Sequence, residues 1–285
     1  MMALCSSCPS APAAGPQPAQ RPSTCMAAVS DLPLVAIADS SPLFCGGDSP
    51  LPALLARLTP VLPPGPAQLR AAYLGTSNGD IVDYFELAQA AMQRLGLEAS
   101  NVHFIRTVGA GVEPDLELLR SASIIVLSGG DPVAAMNVWE SNGVAAVLRE
   151  LASELPRTCL MIGVSAGAMV MARWVWAEAS DRGAGRATAA QLVLVPGLGI
   201  APEVPAMGMH EEKDEESWGC SRVVVEEERV GVLLGVPFGG IALIERGGNV
   251  LALRRPLLVL HRGGGQSTAE PGGSHSFTLA GGGGS

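Results

Sequence analysis

Compact apolar runs alternate with longer stretches of helical periodicity through the first part of the body of the chain. Residues 34–38, 69–74, 102–106, 124–127 and 160–162 are dense in aliphatic side chains and of strand length, near-continuous as strands buried on both faces read. Between them, residues 81–95 place Val82, Phe85, Leu87, Ala88, Ala91, Met92 and Leu95 at helical spacing, with Gly96 available to end the helix. Residues 144–155 repeat that pattern. Strands alternating with helices predict parallel pairing through crossover helices. After Ala190 the texture changes to short runs at 241–245, 250–253 and 257–261, divided by Gly and Pro, which read as antiparallel hairpins. The expected fold class is α/β: a doubly wound, mostly parallel sheet with helices on both faces and antiparallel edge hairpins near the C-terminus.

The two ends read differently from this body. Residues 1–30 hold no acidic residue and one basic one, Arg21, amid Ala, Pro and Ser, a mixture that cannot bury enough surface to fold. Residues 1–31 are therefore expected to be a disordered leader, either a transit peptide or an overextended start preceding Met26. Residues 263–285 are rich in Gly and Ser and read as a flexible tail. The domain expected in between spans 32–262.

Composition narrows the function. With 48% hydrophobic and 16% charged residues, the body can bury a substantial core. The net charge of −9 comes without a basic stripe, so nucleic acid is not an expected partner. The best candidate for a membrane span, 159–172, is too short and is interrupted by Gly163, Ser165 and Gly167. Of six cysteines, Cys5, Cys8 and Cys25 lie in the leader, and Cys45, Cys159 and Cys220 lack ligand-like spacing. That distribution suits a reducing compartment, cytoplasmic or, if the leader is a transit peptide, chloroplast or another organelle.

Chemistry concentrates at one turn. The aliphatic Leu160-Met161-Ile162 runs into Gly163-Val164-Ser165-Ala166-Gly167, and helix-forming Ala168-Met169-Val170-Met171-Ala172 follows. This is the order of a nucleophile elbow: strand, sharp turn, helix, with only small residues tolerated two positions either side of the nucleophile. The Ser165 hydroxyl would stand at a helix N-terminus, where backbone N–H groups favour developing negative charge, with Ala166 N–H as one oxyanion donor. Ser128-Gly129-Gly130-Asp131 follows the preceding strand and would emerge at the same carboxyl edge, where open α/β folds place ligands. Gly130 N–H is a candidate second oxyanion donor, and Gly129 and Asp131 are candidate substrate contacts. Asp131 equally suits capping the helix that follows.

Leu127-Ser128-Gly129-Gly130-Asp131, followed about thirty residues later by Gly163-Val164-Ser165-Ala166-Gly167-Ala168-Met169-Val170, resembles the paired signature of the dipeptidase E and cyanophycinase family. Pro196-Gly197-Leu198-Gly199-Ile200, with His210 beyond it, resembles the stretch that brings that family's catalytic histidine. The likeness runs from about Ala36 to Leu253 and implies a class I glutamine-amidotransferase-like domain, a serine peptidase without metal or cofactor, and a small peptide or amide substrate. Cleavage beside an aspartyl residue is the activity the family suggests.

A serine hydroxyl needs a base. Among the four histidines, His275 lies in the expected tail, His103 inside a predicted strand before the elbow and His261 at the domain edge. His210 remains, and it matches the family's histidine. Asp181, between Ser165 and His210 and just beyond Trp174-Val175-Trp176, is the expected orienter of the imidazole, with Glu178 its rival.

Two departures bear on specificity. Pro132 follows the Gly-Gly-Asp where the family frequently has Gln, and it offers no side-chain amide. After His210 comes Glu211-Glu212-Lys213-Asp214-Glu215-Glu216, where relatives carry arginines suited to an acidic substrate. Such charge runs are usually solvated faces. Three functions stay open: a peptidase of altered specificity, a small-ester hydrolase, and a catalytically silent binding or scaffold protein. A homodimer is left open as well.

Overall fold

A computed structural model describes residues 31–44, 51–53, 69–178, 192–210 and 218–277. The five apolar runs form β1 (Leu34–Ile37), β2 (Ala71–Leu74), β3 (Val102–Ile105), β4 (Ile124–Leu127) and β5 (Leu160–Val164). Helices separate them: α1 (Ser41–Phe44), α2 (Val82–Arg94), α3 (Leu116–Arg120), α4 (Pro132–Asn142) and α5 (Val144–Ser153), with α6 (Ala166–Met169) following β5. Then come β6 (Trp174–Glu178), β7 (Leu192–Pro196), β8 (Ala206–Met209), α7 (Gly219–Glu226) and β9 (Val232–Val236). The chain closes with β10 (Ile241–Ile244), β11 (Asn249–Leu253), β12 (Leu257–His261), β13 (Gln266–Ala269) and β14 (Ser274–Ser276).

The main sheet has eight strands in the order β14-β11-β10-β1-β5-β4-β2-β3. β1, β5, β4, β2 and β3 pair in parallel, and β10, β11 and β14 add an antiparallel edge. The expected mostly parallel α/β sheet with antiparallel edge strands is thus the observed one. Strands β1, β2, β4 and the first four residues of β5 are buried throughout, because apolar cores cover both faces of the sheet. One core gathers Val35, Ile37, Tyr73, Met92, Val126 and Ile162, and the other Leu74, Leu127, Trp139, Leu148 and Met161. Phe85 of α2 stacks on Phe104 of β3 with ring centroids 4.9 Å apart.

Two expectations need correction. Residues 257–261, expected with the edge hairpins, belong to a separate four-stranded sheet, β13-β12-β9-β8, in which β8 and β9 run parallel. The stretch from 263 onward is not a tail as far as Phe277. β13 pairs with β12, β14 pairs with β11, and Phe277 is buried. Its glycines supply turns, Gly263, Gly264 and Gly272 all adopting positive φ, so Gly/Ser composition read as looseness what is punctuation between short strands. His275 accordingly sits in β14 against Phe277, 4.8 Å between rings. Residues 1–30, expected to be the leader, lie outside the described residues.

Candidate active site

Ser165 stands between β5 and α6 with φ 51° and ψ −115°, a backbone conformation that costs an L-residue about 1–3 kcal/mol and persists only where the surroundings over-determine it. Those surroundings are backbone. Ser165 N–H donates to Ile37 O of β1 at 2.8 Å, and Ala168 and Met169 N–H return to Ser165 O at 2.8 and 3.1 Å. A Cβ on Gly163 would overlap Gly167 O and the Ala168 backbone, and one on Gly167 would overlap Leu127 O and lie against Ser128 O. The two glycines are therefore demanded by close approach: the first by the turn folding over itself, the second by the neighbouring strand end.

Because β4 and β5 are parallel neighbours, Leu127 opposite Gly163, the chain after β4 emerges beside the elbow. A Cβ built on Gly129 would lie 3.3 Å from Ser165 Cβ. Gly130 has φ 139°, and a Cβ there would overlap Ser77 O. Among the described residues, neither Gly130 N–H nor Ala166 N–H donates a hydrogen bond within the protein, as oxyanion donors require. Asp131 performs the capping role that its sequence context allowed, accepting from Val133 and Ala134 N–H at 2.9 and 3.0 Å, with Pro132 at the first position of α4, where a missing N–H costs nothing.

Sequence reasoning missed what holds this loop. Ser77, in the turn after β2, donates to Ser128 O at 2.7 Å and contacts Ser128 Oγ at 2.8 Å, while its own carbonyl accepts from Asp131 N–H at 2.7 Å. The same turn is anchored by Asp80, whose carboxylate accepts from Thr107 and Val108 N–H at 2.5 and 2.7 Å, and by Trp139 Nε1, which donates to Thr76 Oγ1 at 2.5 Å. No short motif marks these partners; Gly75, Asn78 and Gly79 show only that a turn is present.

His210 follows β8 and places Nε2 3.2 Å from Ser165 Oγ. Its own backbone is at φ 49°, and its N–H donates to Val236 O of β9 at 2.9 Å. For Nε2 to accept from serine, the ring proton must sit on Nδ1. Among the described side chains, which do not include that of Glu178, no carboxylate receives that proton. Asp181, expected to do so, lies outside the described residues, as do residues 211–217. The ribbon that precedes Asp181 is described: β6 pairs antiparallel with β7 and runs alongside residues 204–209 through Arg173 N–H to Val204 O, Trp174 N–H to Pro205 O, and Trp176 Nε1 to Met207 O at 2.9 Å. β6 thus advances beside β8 toward the end that carries His210, and it stops at Glu178.

The Pro196-Gly197-Leu198-Gly199-Ile200 stretch does more than lead toward the histidine. Gly197, Leu198, Gly199 and Ala201 N–H groups donate to carbonyls of Arg173, Val170, Ala172 and Met171, so it wraps the segment immediately after α6. Arg149 of α5 clamps it from outside, donating to Leu198 O at 2.9 Å and Gly197 O at 3.1 Å while paired with Glu140.

A cavity of about 440 Å³ opens over the pair, with Pro132, Met169, Trp176, Ala177 and Met209 as walls around Ser165 and His210. A second, of about 300 Å³, is lined by Leu43, Phe44, Tyr73, Val126, Gly129 and Gly130. Neither is lined by Lys or Arg among the described residues. His103 stands on the edge strand β3 and His261 on β12, and neither lines these cavities. No cluster of three His, Cys, Asp or Glu side chains fit for a metal occurs among the described residues. No helix there is long and apolar enough to cross a membrane.

The sequence profile of peptidase family S51 matches residues 64–223, more than half the chain. The chain belongs to peptidase family S51. It is accordingly a serine-type peptidase of the family that includes dipeptidase E and cyanophycinase. Among solved structures, a peptidase from an acI-B1 actinobacterium matches with a TM-score of 0.65 at 16% identity, covering 87% of this chain and 97% of that one. A candidate peptidase E from Listeria monocytogenes EGD-e matches with a TM-score of 0.53, also at 16% identity, covering 78% and 98%. Both share the fold. No curated protein matches in sequence.

Proposed function

We propose that Ser165 is the nucleophile and His210 its base in the hydrolysis of a peptide or related amide bond by this S51 chain. The observation that carries the reading is the 3.2 Å contact of Ser165 Oγ with His210 Nε2 at a turn of strained φ. Ser165 Oγ attacks the carbonyl carbon while its proton passes to Nε2. The resulting oxyanion accepts from Gly130 and Ala166 N–H. The carbon–nitrogen bond then breaks, and the departing amine takes the proton from His210. Water, deprotonated by the same nitrogen, attacks the acyl ester and restores Ser165. Asp181 completes the set by accepting from Nδ1, with Glu178 the alternative; the course of β6 beside β8 supports an acid from this ribbon.

The substrate preference is turned away from aspartyl peptides. A buried carboxylate left unpaired costs several kcal/mol, and neither cavity lining offers a Lys or Arg among the described residues. Arg106 is exposed beyond β3, and Arg173 sits before β6; neither is among the described residues lining these two cavities. The test is a dipeptide panel varied at the residue that supplies the carbonyl, run with the native chain and with Ser165→Ala. Turnover that needs Ser165 and is weaker for Asp than for uncharged residues is expected. Turnover surviving Ser165→Ala would refute the mechanism, and a clear Asp preference would refute the specificity.

A further inference from the structure

The strand that leads to His210 is an edge. β8 is the outer strand of the four-stranded sheet and pairs there with β9 alone. The backbone bond of the histidine itself runs from its N–H to Val236 O at 2.9 Å. Whatever packs beside that bond therefore decides where the imidazole stands.

A glycine lies close before each partner in the bond. Gly208 is two positions before His210, Gly235 is one before Val236, and the register sets the two glycines opposite each other. No turn demands them, since neither has a positive φ. Close approach does. A Cβ on Gly208 would overlap Ser221 Oγ, and one on Gly235 would lie 2.9 Å from Trp218 Cζ3 and 3.0 Å from Cη2. The paired glycines thus open a notch across β8 and β9, which Trp218 and Ser221 of the α7 segment fill, both of them buried. Trp218 enters α7 at φ 66° and ψ 30°, and its carbonyl accepts from Arg222 N–H at 2.8 Å. A bulky residue in that left-handed conformation persists only where its surroundings hold it. Two strained residues, His210 at φ 49° and Trp218, therefore lean on the same pair of strands.

We propose that Trp218, seated in the notch of Gly208 and Gly235, is a positioning residue that keeps His210 within reach of Ser165. The inference rests on the Ser165–His210 reading and adds the element that makes the base competent. Neither Trp218 nor any residue of α7 is among those lining the cavity over the pair, so the effect passes through β8. With the ring removed, β8 loses its packing beside the Val236 bond and Nε2 moves off Ser165 Oγ. A misplacement of about 1 Å is enough to cost roughly a hundredfold in rate.

The full chain is labelled with an alkyl fluorophosphonate over a range of probe concentration and pH, which separates the maximal labelling rate at Ser165 from probe affinity. Circular dichroism gives the folded fraction of each variant. Trp218→Ala is expected to lower the maximal rate roughly a hundredfold at unchanged affinity. It should also lose the plateau that a histidine base gives the rate–pH profile, leaving a rate that climbs with hydroxide. Val259→Ala, in β12 on the side of β9 away from β8, loosens the same sheet outside the notch and should keep the native rate and profile. If Trp218→Ala fails to fold, Trp218→Phe decides, because its shorter ring fills less of the notch; the same change of profile is expected with a smaller fall in rate. A native profile in the folded variant, a rate lowered only in proportion to the folded fraction, or an equal loss in Val259→Ala would overturn the positioning role while leaving the Ser165–His210 pair standing. Absence of a Ser165 adduct in the native chain would overturn the pair itself, and the positioning role with it.

Discussion

Ser165 and His210 reach the same point by different routes. The serine sits in a turn boxed by backbone: Ile37 O on one side, Gly167 pressed against Leu127 O on another, and the Gly129-Gly130 loop within van der Waals reach. The histidine stands at the end of β8, held by one backbone bond to Val236 and by the parallel pairing of β8 with β9, the next strand in the chain. One half is boxed by close backbone approach at glycines, the other held at the end of a paired strand. Damage to the first should appear as lost folding or a collapsed turn, and damage to the second as a misplaced base in a folded chain.

The largest expected effect tests whether the halves act as one unit. Ser165→Ala and His210→Ala should each lower kcat by roughly ten-thousand-fold or more, with the double variant scarcely worse, because a nucleophile without its base is already disabled. Multiplicative losses in steady-state kinetics would separate them. Next comes Gly167→Ala, whose methyl group would meet Leu127 O; overpacking of this kind costs about 1–3 kcal/mol and should lower the denaturation midpoint along with activity. Gly199→Ala is the control, having open space but φ 66°, and should cost about 1–2 kcal/mol from backbone conformation alone. Equal activity losses in the two, at matched stability, would show that the elbow contacts do not matter for chemistry.

Legibility in the sequence follows the same division. Glycines two residues either side of Ser165, between an aliphatic strand and a helix, state their reason locally, and so do the parallel strands, each a short apolar run. The approach of His210 depends on β8 pairing with β9 in a second sheet, which no periodicity announces, so the histidine came from its order in the chain and from family likeness. The polar anchor under the oxyanion loop, Ser77 with Asp80, Thr107 and Trp139, joins residues up to 63 positions apart and leaves no short pattern. The misread tail fails for a related reason: Phe277 and Ala269 are single apolar residues whose burial becomes visible only once β11 and β12 are in place.

Smaller effects probe this anchor and the clamp behind the site. Ser77→Ala removes the donor to Ser128 O and should cost about 1 kcal/mol of stability; a fall in kcat with KM unchanged would mark Gly130 as misplaced, and an unchanged kcat would make Ser77 structural only. Glu140→Gln should cost less still, below about 1 kcal/mol near pH 7, since its pair with Arg149 is half exposed. The bond from Arg149 holds the Glu140 carboxyl below its ordinary value. Its contribution is therefore full above the ordinary glutamate range and fades as pH falls through the lowered value, so native and variant melting curves should converge as the pH is taken below it.

The claim at the centre is that Ser165 is reactive because His210 takes its proton. Labelling the native chain and His210→Ala with a simple alkyl fluorophosphonate, and locating the adduct by mass spectrometry, addresses it most directly. The account predicts a single adduct at Ser165 that forms rapidly in the native chain and is nearly abolished in the variant, while both remain folded. An adduct at another residue, or Ser165 labelling that proceeds undiminished without His210, would contradict it.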